Sequence, residues 1–131
     1  RRRRWPWTCN GPASARWARA FEPALLRAIY HVIAQAQRAG KPVRVCGDAA
    51  ADPIALPILL GLGARQLSVP PPALPVAAAT IRRLTLEGLE SLAQDAIRMG
   101  DAADVEQRVV AQLSGVLADL WVEQGYSPGE G

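Results

Sequence analysis

Apolar residues recur along the chain at two different periods, and the switch between them lays out the secondary structure. From Pro23 onward, Leu25, Leu26, Ile29, Val32, Ile33 and Ala36 fall at helical spacing, which predicts a helix that turns this stripe toward the core. Proline is favoured in a first helical turn, Gly40 ends the helix as a left-handed cap residue, and Pro42 prevents continuation. Pro42-Val-Arg-Val-Cys46 then reads as a short buried strand, with Gly47-Asp48 as its exit turn. Asp52-Pro53, an acidic cap followed by proline, starts a short and wholly buried helix over Ile54 to Leu62, which Gly61 and Gly63 close. Gln66 to Val69 is a second strand, and Pro70-Pro71-Pro72 has no N–H groups to extend its ladder. Three helices fill the remainder: Leu74-Pro75 through Arg83, a second capped by Thr85 through Met99, and a third capped by Asp101 to about Gln124. Residues 1 to 20 hold Pro6, Gly11 and Pro12 without a clear period and read as irregular, and residues 125 to 131 as a flexible tail.

The order is helix, strand, helix, strand, helix, helix, helix: a mostly helical α/β class. Two short strands joined by a crossover of about 20 residues are parallel. A two-stranded parallel sheet can neither cover both faces nor close its edges, so the pattern describes a piece of a larger α/β fold. A (β/α)8 barrel takes ~250 residues, and the 131 here are expected to be an incomplete chain.

Composition narrows the classes further. Half the residues are apolar and 21% are charged, the balance of a globular chain with one core. The longest apolar stretches, such as Ile54 to Gly63, fall well short of the ~20 residues of a membrane span, and no leader is evident, so no membrane partner is expected. The net charge of +3 comes from the start of the chain: setting aside Arg1 to Arg4 leaves 11 of the 15 basic residues against 12 acidic ones, a net of −1. The other arginines are scattered among acids, unlike a phosphate-tracking stripe, so no nucleic-acid partner is expected. The rival reading is a single-strand-binding arm made of Arg1 to Arg4 with Trp5 and Trp7. Cys9 and Cys46 match no metal-ligand spacing and no disulfide scaffold, which places the chain in a reducing cytoplasm.

Lys41-Pro-Val-Arg-Val-Cys-Gly-Asp-Ala-Ala-Ala-Asp-Pro53, Ile58-Leu-Leu-Gly-Leu-Gly63, Gln66-Leu-Ser-Val69, Pro75 and Ile81-Arg82-Arg83 are specific as a set. Over about Pro12 to Val110 the chain resembles the C-terminal part of Enzyme I, the phosphoenolpyruvate–protein phosphotransferase family of the bacterial sugar phosphotransferase system. The same region is similar to the end of multiphosphoryl transfer proteins, and the choice between the two stays open. The resemblance implies the last two β/α units of a (β/α)8 barrel, plus C-terminal helices, that binds phosphoenolpyruvate and Mg2+. It implies a histidine on a separate domain that passes the phosphoryl group to an HPr-type carrier protein, and a homodimer formed through the barrel domain. Cys46 then matches the proton donor to enolpyruvate, with Gly47 and Asp48 in the substrate loop. A thiol, ordinarily titrating near pH ~8.5, is a competent acid near neutrality, and strand C-termini are where barrel enzymes keep their chemistry. The bland alternative is a small buried cysteine. Asp48 stands where the family has Glu, and Ala51 where it has Gly. His31 reads as a surface histidine, and Arg82-Arg83 as charges complementing a helix C-terminus.

The family's Mg2+ carboxylates, its substrate arginines and its phosphorylated histidine lie upstream of Arg1, so no metal ligand is expected within this chain and the isolated fragment is expected to be inactive. The second reading is a non-catalytic module docking on an Enzyme I-like partner. Before Asn10 the family reads hydrophobic-Ala-hydrophobic-Asp-Arg, where this chain has Trp5-Pro6-Trp7-Thr8-Cys9. Read one base early, the codons TGG-CCN-TGG-ACN become NTG-GCC-NTG-GAC, which restores a hydrophobic-Ala-hydrophobic-Asp segment. Residues 1 to about 8 are therefore read as an out-of-frame translation, and residues 21–124 as the partial barrel domain.

Overall fold

The computed structural model describes residues 21–123 and Gly125. The irregular N-terminus, the proposed frame change and most of the tail fall outside these residues. Helix α1 spans Pro23–Arg38 and strand β1 spans Arg44–Cys46. A 3-10 turn, Asp48–Ala50, leads to helix α2 at Ala55–Gly61. Strand β2, Gln66–Ser68, is followed by a second 3-10 turn at Pro71–Ala73. Helices α3 (Leu74–Arg83), α4 (Leu86–Ala96) and α5 (Ala102–Glu123) complete the order. The strands pair in parallel with Arg44 opposite Gln66, Val45 opposite Leu67 and Cys46 opposite Ser68. Order, strand direction and α3 agree with the sequence reading; the two 3-10 turns were not foreseen.

Helix α2 is the centre of the core, with all seven residues buried. It starts where Asp52 accepts hydrogen bonds from the N–H groups of Ile54 and Ala55, both at 2.8 Å. It stops at Gly63, beyond which the Ala64 N–H reaches back to the Leu59 carbonyl at 3.0 Å. The α1 stop at Gly40 is of the same kind, with the Lys41 N–H bonded to the Ala36 carbonyl at 2.8 Å. Gly61 does something other than close the helix. A Cβ there would meet the Leu89 carbonyl and stand 2.8 Å from Ala93 Cβ, so its lack of a side chain lets α2 lie against α4. Helix α5 buries Val105, Val109, Leu113, Leu117 and Leu120 along one stripe. Long side chains tie the helices together: Arg27 donates to the Ile97 carbonyl at 2.9 Å, and Gln112 to the Gly88 carbonyl at 3.0 Å. Arg108 donates twice to Asp95, from Nε at 3.1 Å and Nη2 at 2.9 Å.

Four expectations need correction. The α1 stripe is wider than its cover: Leu26 and Ile33 are buried, but Leu25 and Val32 are exposed, since only one flank of the helix packs against the core. The strands are not buried, because helices cover one face of the two-stranded sheet and the other is open. Helix α4 ends at Ala96, three residues before Met99, in tightened turns through Ile97 and Arg98. Thr85 does stand at the α4 N-cap, but its side chain makes no capping hydrogen bond. By contrast, Asp101 caps α5 through the Asp104 N–H at 2.9 Å.

Candidate active site

Alternation along the two strands sorts their side chains into two sets. Val43, Val45, Leu67 and Val69 are half-buried against the core. Arg44, Cys46, Gln66 and Ser68 are exposed and occupy the opposite face. The parallel register makes two rungs of this polar set, Arg44 beside Gln66 and, one step toward the strand C-termini, Cys46 beside Ser68. Arg44 Nη2 lies 3.5 Å from Gln66 Oε1, at the outer limit of a hydrogen bond. Cys46, a free and exposed cysteine, closes the C-terminal end of β1.

Gly47 then takes φ 91° and ψ −170°, a backbone conformation that side chains other than hydrogen strongly disfavour. Nothing lies within 4 Å of where its Cβ would be, so the conformation and not crowding requires glycine here. It turns the chain into Asp48–Ala50, where the Ala50 N–H bonds to the Gly47 carbonyl at 3.1 Å and buried Ala50 anchors the turn. Asp48 is left exposed beside the thiol's strand end. Asp52, four residues on, belongs to the α2 cap. Burial raises its carboxyl above the ordinary range, the two backbone hydrogen bonds oppose that rise, and the charge of Glu106 adds to it.

The other residues singled out in the sequence do other work. His31 is exposed on α1. Arg83 donates to Asp119 at 2.6 Å and to the Val116 carbonyl at 3.1 Å, fastening α3 to α5. That contact holds the Asp119 carboxyl below its usual range. Sequence reasoning missed Arg44, Gln66 and Ser68. Their signal was the matching polar-apolar-polar order of Arg44-Val-Cys46 and Gln66-Leu-Ser68, which becomes informative only with the register. Among the described residues no three His, Cys, Asp or Glu side chains come together as metal ligands, and no helix is long and apolar enough to cross a membrane.

An apolar hollow lies beside each strand, between it and the neighbouring helices. One, of about 470 Å3, lies along β2 between Leu60, Leu67, Val69, Ala77, Ile81 and Leu89. The other, of about 340 Å3, lies along β1 between Ile29, Val32, Val43 and Val45.

The family model of the PEP-binding domain of PEP-utilising enzymes matches residues 10–86, more than half of the chain and all of the polar rungs. The chain belongs to this family. A phosphoenolpyruvate-protein phosphotransferase of Geobacillus stearothermophilus is 40% identical over 85 residues, 65% of this chain and 15% of that protein. One from Chlamydia trachomatis is 46% identical over 57 residues, 44% of this chain and 10% of its own. Multiphosphoryl transfer protein 1 of Escherichia coli is 30% identical over 102 residues, 78% of this chain and 12% of its own. The PEP-binding domain segment held here thus spans about 15% or less of these relatives' length.

Proposed function

We propose that this chain supplies the last two β/α units of a (β/α)8 barrel that holds phosphoenolpyruvate in a PEP–protein phosphotransferase, with Cys46 as the proton donor. The observation that carries the reading is the exposed thiol at the end of β1, on the polar face of a parallel pair and inside the PEP-binding family match. The barrel is supported by the two unfilled apolar hollows, one beside each strand, which further β/α units would cover. The polar rungs would then face the barrel interior at its C-terminal end, where barrel enzymes bind substrate.

The chemistry follows from the leaving group. Transfer of the phosphoryl group to a histidine on another domain leaves enolpyruvate. The S–H bond of Cys46 breaks, a C–H bond forms at the methylene carbon, the enolate electron pair completes the carbonyl, and a thiolate remains. Pyruvate in its keto form is a poor phosphoryl acceptor, so this proton favours the forward direction. Gly47 and Asp48 form the loop over the substrate. Mg2+, when bound, would neutralise phosphate charge in such a site; among the described residues no three His, Cys, Asp or Glu side chains are grouped to hold it. An HPr-type carrier, a second copy docked through the barrel domain and a cytoplasmic setting belong to the same proposal.

The test is Cys46→Ala in a longer protein carrying this segment, with pyruvate formation followed in D2O. Positioned general acids contribute ~10²- to 10⁴-fold, so deuterium incorporation at the methyl group should slow by about a hundredfold or more while the histidine is still phosphorylated. Undiminished incorporation would exclude the role.

Residues 1–9 lie outside the family match. For residues 1 to about 8 the frame-change reading is retained, and the DNA upstream of the Arg1 codon, translated in three frames, tests it. A frame that continues into further barrel units supports the reading; none overturns it.

A further inference from the structure

We infer that Ser68 is a positioning residue for Cys46: its hydroxyl donates to the thiolate left when the proton is delivered. The inference rests on the proton-donor reading above and adds a residue that neither the family match nor the relatives' names assign. Three observations carry it. Cys46 and Ser68 are partners in the parallel register, on the last rung of each strand. Both are exposed on the same face, opposite the half-buried Val45 and Leu67. Neighbouring strands lie ~4.8 Å apart, a separation that rotation of two short side chains about χ1 can span.

The groups around the thiol leave this task to Ser68. On its own strand the charged neighbour on the same face is Arg44, whose guanidinium is directed toward Gln66 one rung away. The turn that follows carries Asp48, a negative charge that opposes a thiolate. Across the rungs β2 offers only the neutral Gln66 and Ser68. The hollow that Cys46 itself helps line takes Ala28, Ile29, Val32 and Ile33 from α1, which donate nothing from their side chains, and Arg44 from β1. A serine hydroxyl rotates freely, accepting from the thiol before transfer and donating to the thiolate after it. Water then returns the proton to sulfur, and the serine is unchanged.

The thiolate can be read without any substrate, which separates this inference from the one it rests on. In the 131-residue chain, the rate of iodoacetamide alkylation at Cys46 is followed from pH 6.5 to 9 by peptide mass, which keeps Cys9 apart. Ser68→Ala should alkylate about fivefold more slowly at pH 7, within the range of one hydrogen bond to a charged group at an exposed site, with the difference closing at high pH. Ser68→Thr, which retains the hydroxyl and suits a strand, should restore the rate to within about twofold. Two results overturn the inference: Ser68→Ala as fast as the unaltered chain at every pH, or slower alkylation that Ser68→Thr does not rescue. Failure of the proton-donor reading would show instead in the Cys46→Ala deuterium experiment.

Discussion

Gly61 is the closest approach between α2 and α4, and alanine in its place tests how tightly that contact is built. The added methyl gains up to ~1 kcal/mol of helix propensity but meets the Leu89 carbonyl and Ala93, and overpacking costs ~1–3 kcal/mol. Because the clash is with backbone, Gly61→Ala should lower stability by about 2 kcal/mol or more, measured by urea unfolding. From sequence the residue reads as a helix stop, because its partners lie far along the chain in α4 and only the folded contact reveals them. Cys46 was legible for the opposite reason: a β-rich pentapeptide followed by Gly-Asp puts it at a strand end by local chemistry alone. Ser68 was hidden, since nothing local says which residue of a second strand will stand beside the first.

The caps and ties give the helices opposite responses to acid. Asp52 has its carboxyl raised by burial, so the folded state resists losing that proton and its charge costs stability as pH climbs from about 4 through the raised value. Asp52→Asn keeps an oxygen for the Ile54 and Ala55 N–H groups and removes the buried charge. Its urea midpoint relative to the unaltered chain should rise with pH across that interval and then level off; a flat difference would contradict the assignment. Asp119 runs the other way. Arg83 lowers its carboxyl, so its contribution is present above about pH 4 and fades as the carboxyl is protonated. Asp119→Asn should remove that acid-side loss, seen as a flatter midpoint between pH 5 and about 3. Helix starts and stops were readable at Asp52, Asp101, Gly40 and Gly63, where cap residues act on their own backbone. Burial of the strands was not, because exposure depends on what covers the second face.

For the molecule as a whole, the order of segments and the parallel pairing followed from sequence, since a crossover of this length permits little else. The two hollows did not, for they depend on how closely each strand packs against the helices around it. With Leu74, Leu86 and Val32 exposed at 60%, 49% and 58%, the 131-residue chain should bind a hydrophobic dye such as anilinonaphthalene sulfonate while keeping its helical circular dichroism. Adding the preceding barrel units of a relative as a separate polypeptide should quench that signal by covering both edges. Dye binding unaffected by saturating complement would argue against the barrel.

The register that sets Cys46 beside Ser68 also governs how this segment can change in length. A strand alternates its faces every residue, so shifting β2 by one place carries the serine hydroxyl to the core side and brings Leu67 or Val69 to the rim. An insertion or deletion between Gly63 and Gln66 is thus harmless only if the turn absorbs it whole. Point changes across these rungs can be tried one at a time by natural variation, whereas changes of length there must succeed or fail at a single stroke.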